Sequence, residues 1–251
     1  MKTNSFLRLA ATCLLPAGLL LAGCGKKDTP APTPVPDTGK VLISHAAAAA
    51  NTQITAFAND VQVGQLNYGQ STGYSSVNAG SATIRVNNGS QPVATQTVTI
   101  TKDQNYSVFA YSPTSSIGSA ALLTVPDDLS APTTAGAAKV RLVYLGVNTA
   151  TPVRLSIPPA TPNGAPNDLT GDVAFGTASG FILLNAGPQN LVVTAAAVAR
   201  TQLVAVGDGT GAGTGSKTFE AGKIYTVVVR GIAGTGVPAA QQVQAVIIQN
   251  N

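Results

Sequence analysis

The chain has 251 residues, of which 10% are charged and 44% hydrophobic, with 26 glycines, 16 prolines, no tryptophan and one histidine. Low charge beside an ordinary apolar share excludes a disordered chain, and Glu, Lys, Leu and Arg do not dominate as a coiled coil requires. The formal charge of +4 comes from scattered side chains (Arg85, Lys102, Arg141, Arg154, Arg200, Lys223 among them), without the basic stripe that nucleic-acid binding needs.

Residues 1–8 carry Lys2 and Arg8 as a short positive segment, and residues 9–22 are apolar or small, with Leu14, Leu15, Leu19, Leu20 and Leu21 as the bulk. The run is shorter than the roughly 20 apolar residues of a membrane span and has the size of a signal-peptide core. It closes on Leu21-Ala22-Gly23-Cys24, which resembles the lipobox of bacterial lipoproteins. That resemblance implies a signal peptide over 1–23, alkylation of the Cys24 sulfur by a diacylglycerol, and Cys24 as the first residue of the mature chain. Cys13 lies in the leader, so no thiol is left for a structural disulfide. Acyl chains, at about 0.8 kcal/mol per buried methylene, hold such a protein on a membrane.

Residues 24–39 read as the lipidated Cys and a Pro-rich tether. The alternating prolines of Thr29–Pro36 favour an extended spacer of about 3.1 Å per residue, which over the 15 residues from Gly25 to Gly39 is a reach of roughly 40–45 Å. Lys26-Lys27-Asp28 partly resembles the surface-export signals of some lipoproteins, and a solvated tether accounts for it equally.

From residue 40 the pattern is β throughout. Ala82, Ile84 and Val86 alternate with Thr83, Arg85 and Asn87, and Val140, Leu142 and Tyr144 alternate with Lys139 and Arg141, the period of half-buried strands. Tyr225, Val227 and Val229 share one face of a later strand, and Val243, Ala245 and Ile247 one face of the last. Asn59-Asp60, Asn88-Gly89 and Lys102-Asp103 supply turns. The Ala46–Ala50 run is short and uncapped, a strand end and loop. Short strands at about 8–12 residue spacing point to a sandwich or a barrel.

The chain also resembles itself. Tyr68–Gly80 aligns without gaps on Phe175–Gly187, with five identities and an aromatic kept at both aromatic positions. Lys40-Val41 pairs with Lys139-Val140, and Asn105–Val108 with Ile224–Val227. The second copy carries longer loops, at Pro158–Asp168 and Gly207–Gly215. Two copies make a tandem pair, not a solenoid.

Lys40-Val-Leu-Ile-Ser-His45-Ala46, Leu66-Asn-Tyr68-Gly69, Tyr74 and Ala79-Gly80 resemble a family of bacterial extracytoplasmic domains of unknown function, DUF 4397, often found in tandem. Gln53-Ile54-Thr55 stands where that family often has an acidic residue. The resemblance implies an Ig-like β-sandwich outside the cytoplasm and supplies no catalytic residues. The expected fold is therefore all-β: two tandem Ig-like antiparallel β-sandwich domains, 40–128 and 138–251, following the signal peptide and tether. The short Thr124–Ala138 connection, with Pro126 and Pro132, limits their freedom.

Little chemistry is on offer. His45 is the one candidate general base of its type, and its counterpart is Tyr144, so packing or hydrogen bonding explains the position better than catalysis. There is no Gly-x-Ser-x-Gly elbow, no second His for a triad, and too few His and Cys for zinc. The Gly207–Gly215 run fits neither nucleotide-binding pattern and reads as a flexible hairpin tip. Calcium is the one metal worth weighing, through Asn163, Asn167, Asp168 and Asp172, against the ordinary solvation of loop acids.

The expectation is a non-enzymatic protein with no cofactor or metal, lipid-anchored through Cys24 at the cell envelope, at the periplasmic or surface face of an outer membrane. Its role is structural or in surface interactions, with envelope proteins or surface glycans as partners. The alternative is a glycan-binding or adhesive module using Tyr68, Tyr74 or Tyr111 as platforms, although aromatics in alternating strands are more often core.

Overall fold

The computed structural model describes residues 36–161, 164–207 and 216–251. The first eight strands are β1 (Thr38–Ala46), β2 (Ile54–Ala58), β3 (Val61–Leu66) and β4 (Ser75–Asn78), then β5 (Gly80–Asn88), β6 (Gln91–Ile100), β7 (Asn105–Tyr111) and β8 (Ala121–Asp127). They form two sheets, ordered β4-β1-β7-β8 and β3-β2-β5-β6. The predicted turns hold: Asn59 and Asp60 both adopt positive φ between β2 and β3, as does Gly89 between β5 and β6, the backbone that tight hairpins require. Ala82, Ile84 and Val86 of β5 point inward against Val41, Ile43, Ile54, Ala56 and Val108. One core thus fills the space between the two sheets.

The chain continues through β9 (Ala137–Tyr144), β10 (Val153–Ile157), β11 (Asn167–Asp168), β12 (Thr177–Ala178), β13 (Ile182–Asn185) and β14 (Gly187–Asn190). It ends with β15 (Val192–Ala195), β16 (Gln202–Ala205), β17 (Ser216–Phe219), β18 (Ile224–Arg230) and β19 (Gln244–Gln249). Here the sheets run β12-β9-β18-β19, with β13 also on β9, and β11-β10-β15-β16, while β14 and β17 pair separately. Val140, Leu142, Tyr144, Leu155, Val193, Phe219 and Val227 fill the space between the two larger sheets. The order of pairing repeats that of β1–β8, and so does the register: Lys40 stands opposite Asn105, and Lys139 opposite Ile224. A local detail recurs too. The Tyr106 hydroxyl accepts a hydrogen bond from Thr101 N–H at 3.2 Å, and the Tyr225 hydroxyl one from Glu220 N–H at 3.1 Å.

Three sequence expectations need correction. The sheets are not wholly antiparallel, because β1 pairs β7 and β9 pairs β18 in parallel. Parallel neighbours need a long crossover, and here the chain between them builds the opposite sheet before returning to the same end. The first strand begins at Thr38, inside the stretch read as tether. Gly39 belongs there, since a Cβ would lie 2.7 Å from both the Ile100 side chain and the Thr101 carbonyl. Finally, β9 is not half-buried but buried at all eight residues. The Ala46–Ala50 run is a strand end at Ala46 and a single 3-10 turn at Ala48–Ala50.

The reason β9 is covered on both faces is a third cluster. Ala46 and Phe109, behind the β4-β1-β7-β8 sheet, pack against Val143, Leu145, Val228 and Val246, behind the β12-β9-β18-β19 sheet. Large side chains such as these are worth about 1.5–3 kcal/mol each when fully buried, as an upper bound. Four sheets are thereby stacked, and residues 36–251 form one compact unit.

The loops that follow the parallel strands, 47–53, 112–120, 145–152 and 231–243, contain no Asp, Glu, Lys or Arg of their own, although Arg154, Asp172 and Arg200 lie beside loop 145–152. Loops 112–120 and 145–152 meet around a depression of about 280 Å³, and loops 47–53, 112–120 and 231–243 around a groove of about 390 Å³. Ile117, at the tip of one of them, is fully exposed. The opposite end, where β1 begins, holds Asp37, Lys102, Asp103, Asp128, Glu220 and Lys223.

Candidate functional site

Cys24, the leader and nearly all of the tether lie outside the described residues, as do Asn163 and Asp208–Gly215. The other residues singled out by sequence can be placed. His45 is fully buried at the end of β1. Its Nε2 lies 2.9 Å from the Thr52 carbonyl, and its Nδ1 accepts from Ala47 N–H at 3.3 Å. Those partners fix the neutral tautomer with the proton on Nε2, and burial above all lowers its pKa. Its counterpart Tyr144 donates its hydroxyl to the Ala150 carbonyl and contacts the Thr149 hydroxyl.

Both rings support an aromatic from the Tyr-Gly or Phe-Gly element of their own sheet pair. His45 meets Tyr68 edge-on with centroids 5.8 Å apart, and Tyr144 meets Phe175 edge-on at 6.3 Å. Across the seam, the last residue of the parallel partner strand reaches over. Arg230 places its guanidinium 4.6 Å from the Tyr68 ring centroid, and Tyr111 meets Phe175 at 5.9 Å. Tyr111 and Arg230 are themselves counterparts, five residues beyond Tyr106 and Tyr225. The glycines of the two elements now have a reason. Gly69 has φ +93° and a Cβ there would sit 2.5 Å from Arg230 Nη1; Gly176 has φ +74° with Tyr111 Oη at 3.5 Å. Each half lays a side chain onto the other's glycine.

The far end of the seam is polar. Arg141 of β9 is ion-paired to Asp127 of β8, with 1% and 0% of their side chains exposed. Its Nη1 donates to the Pro126 carbonyl at 2.9 Å, its Nε to Thr226 Oγ1 at 3.0 Å, and the guanidinium lies 4.6 Å from the Phe181 ring centroid. Asp127 also accepts from Tyr74 Oη at 2.5 Å and Ser107 Oγ at 2.7 Å. Thr226 donates to Asn250 at 2.8 Å, and Asn250 donates to Tyr74 Oη at 3.1 Å. Burial first, then the Asp127 charge, raises the Tyr74 pKa, so the phenol stays protonated. Beside this network opens a groove of about 810 Å³, lined in part by Asn105, Asp128, Ser130, Ser179 and Phe181. Lys139 bonds Asp128 at 2.7 Å at its rim, holding that carboxyl down to about 2.

Tyr68, Tyr74 and Tyr111 are thus all spent on the seam instead of standing as exposed platforms. The acids weighed for calcium are ion-paired. Asp168 bonds Arg200 and, at 2.7 Å, Arg154, while Asp172 meets Arg154 at 2.5 Å. Hydrogen bonds from Arg200, ahead of the other contacts, hold the Asp168 carboxyl well below the usual carboxylate range. Two guanidinium groups already take the charge a cation would need. Asn167 lies exposed on the short strand β11. Among the described residues no three His, Cys, Asp or Glu side chains are grouped as a metal site.

The residues that the sequence reading missed are Asp127, Arg141, Phe181 and Arg230. A signal was present for two of them. Arg141 sits on a strand whose other face is apolar, and Arg230 stands where the alignment puts Tyr111.

Comparison with known families reaches the first sheet pair. Residues 39–151 match the family described as Domain of unknown function (DUF4397). The DUF4397 match spans β1 to β8, the connection and β9, and so includes His45, Tyr68-Gly69, Tyr74, Asp127 and Arg141. No curated protein matches the chain significantly.

Proposed function

We propose that this chain is a lipid-anchored cell-envelope protein with a structural or surface-interaction role and no catalytic activity. The observation that carries the reading is Leu21-Ala22-Gly23-Cys24, set between an apolar leader and a proline tether. In this reading Cys24 fixes the protein to an outer membrane, at its periplasmic or surface face. The tether delivers the chain to Thr38, and β1, nine residues long, carries the uncharged loops roughly 30 Å further out. The body is two tandem Ig-like sandwiches, a view supported by the repeated strand order and by the reciprocal contacts onto Gly69 and Gly176. A non-catalytic role is supported by His45, whose two nitrogens are both engaged by the backbone.

Mass spectrometry of the mature N-terminus tests the anchor. An acylated Cys24 as first residue is expected, and Cys24→Ser should release the protein from membranes or leave an unprocessed precursor. A chain that begins at Met1 with a free thiol in the cytosol would overturn the proposal.

A further inference from the structure

The two ends of the Gly69 and Gly176 clasp are equivalent in position but not in chemistry. Around Gly176 stand three aromatic rings, Tyr111, Tyr144 and Phe175. Around Gly69 the same three places hold Arg230, His45 and Tyr68. The aromatic version shows that packing alone does not call for a cation at the place of Arg230, where Tyr111 stands, or for a hydroxyl at the place of Tyr68, where Phe175 stands.

The polar version is also incomplete. Arg230 is 6% exposed and lies over the Tyr68 ring face. Its Nε and the Tyr68 hydroxyl are both buried and without a hydrogen-bond partner. An N–H and an O–H withdrawn from water without an acceptor are each unfavourable, and the Tyr68 ring face offsets only part of that. His45 does not help, since its one N–H donates to Thr52 and its other nitrogen is filled by Ala47. The groove of about 390 Å³ runs alongside, lined by Thr52, which bonds His45, and by Ile232, two residues past Arg230.

We propose that Arg230 and Tyr68 form a receptor for a carboxylate group that arrives from outside the chain at the uncharged loops. A planar carboxylate fits the guanidinium fork and takes the phenol proton donor as a third contact. A phosphate would bring a second charge to loops that supply no further cation. The loops around the site contain no acidic side chain that would compete.

Thermal unfolding of the purified chain, titrated with sodium acetate at constant ionic strength, reads the site. The melting temperature should rise by roughly 5–10 °C once acetate exceeds its dissociation constant a hundredfold. Tyr68→Phe, which places at Tyr68 the ring its counterpart Phe175 already carries, should fold normally and lose most of the rise. Arg230→Tyr, copying Tyr111, should lose all of it while melting no lower than the parent without acetate. No acetate-dependent rise in the parent, a rise that survives in Arg230→Tyr, or a response to inorganic phosphate but not to acetate would each overturn the assignment.

Discussion

His45 and Tyr144 occupy the same place in the two sheet pairs and satisfy their polar atoms by different routes. Tyr144 needs acceptors for one hydroxyl, whereas His45 is held neutral by one acceptor and one donor from the backbone. The consequence is a pH dependence with a definite sign. Folding lowers the His45 pKa below the ordinary 6.5, so below pH 6.5 the unfolded chain binds the proton more readily. Stability is therefore full above pH 6.5 and falls as pH drops from there through the folded value, with a slope approaching ~1.4 kcal/mol per unit. Asp128 and Asp168 are held too low to titrate in this window. Urea midpoints at pH 7.5, 6.5 and 5.5 should show the decline, and His45→Tyr should flatten it.

At the scale of elements, the decisive contact is between β8 and β9, where Asp127 and Arg141 are buried together. Removing one partner strands the other charge, so Arg141→Met and Asp127→Asn should each cost about 3–5 kcal/mol. The double variant should cost clearly less than their sum, because it leaves no unpaired charge. Denaturant unfolding of the four proteins of the cycle measures this. The same pair shows where the sequence was legible. Alternation placed Ala82, Ile84 and Val86 of β5, and Val140, Leu142 and Tyr144 of β9, on inner faces correctly. It could not say that β9's second face is also covered, since periodicity separates two faces without revealing what packs on either. Parallel pairing was equally hidden, because strand direction is set by the crossover path and not by side-chain order. The Tyr-Gly and Phe-Gly elements were found by self-comparison, but their contacts onto Arg230 and Tyr111 depend on how the two halves stack.

Across the whole molecule, the seam joins the two sheet pairs through both an apolar cluster and a buried ion pair. Breaking it would expose Phe109, Leu145 and Val228 and leave Arg141 and Asp127 apart. Neither half is expected to melt before the other. Calorimetry should give one transition whose measured enthalpy matches the van't Hoff value, and two resolved transitions would show that the seam contributes little. The direction of β1 has a mechanical consequence. It is bonded along seven residues to β7 and four to β4, with these bonds lying across its length. Tension drawn through Thr38 against a grip on the distal loops would run along the strand and load the whole ladder in shear. Its bonds would share that force as in a lap joint, where a pull at right angles would peel them one by one.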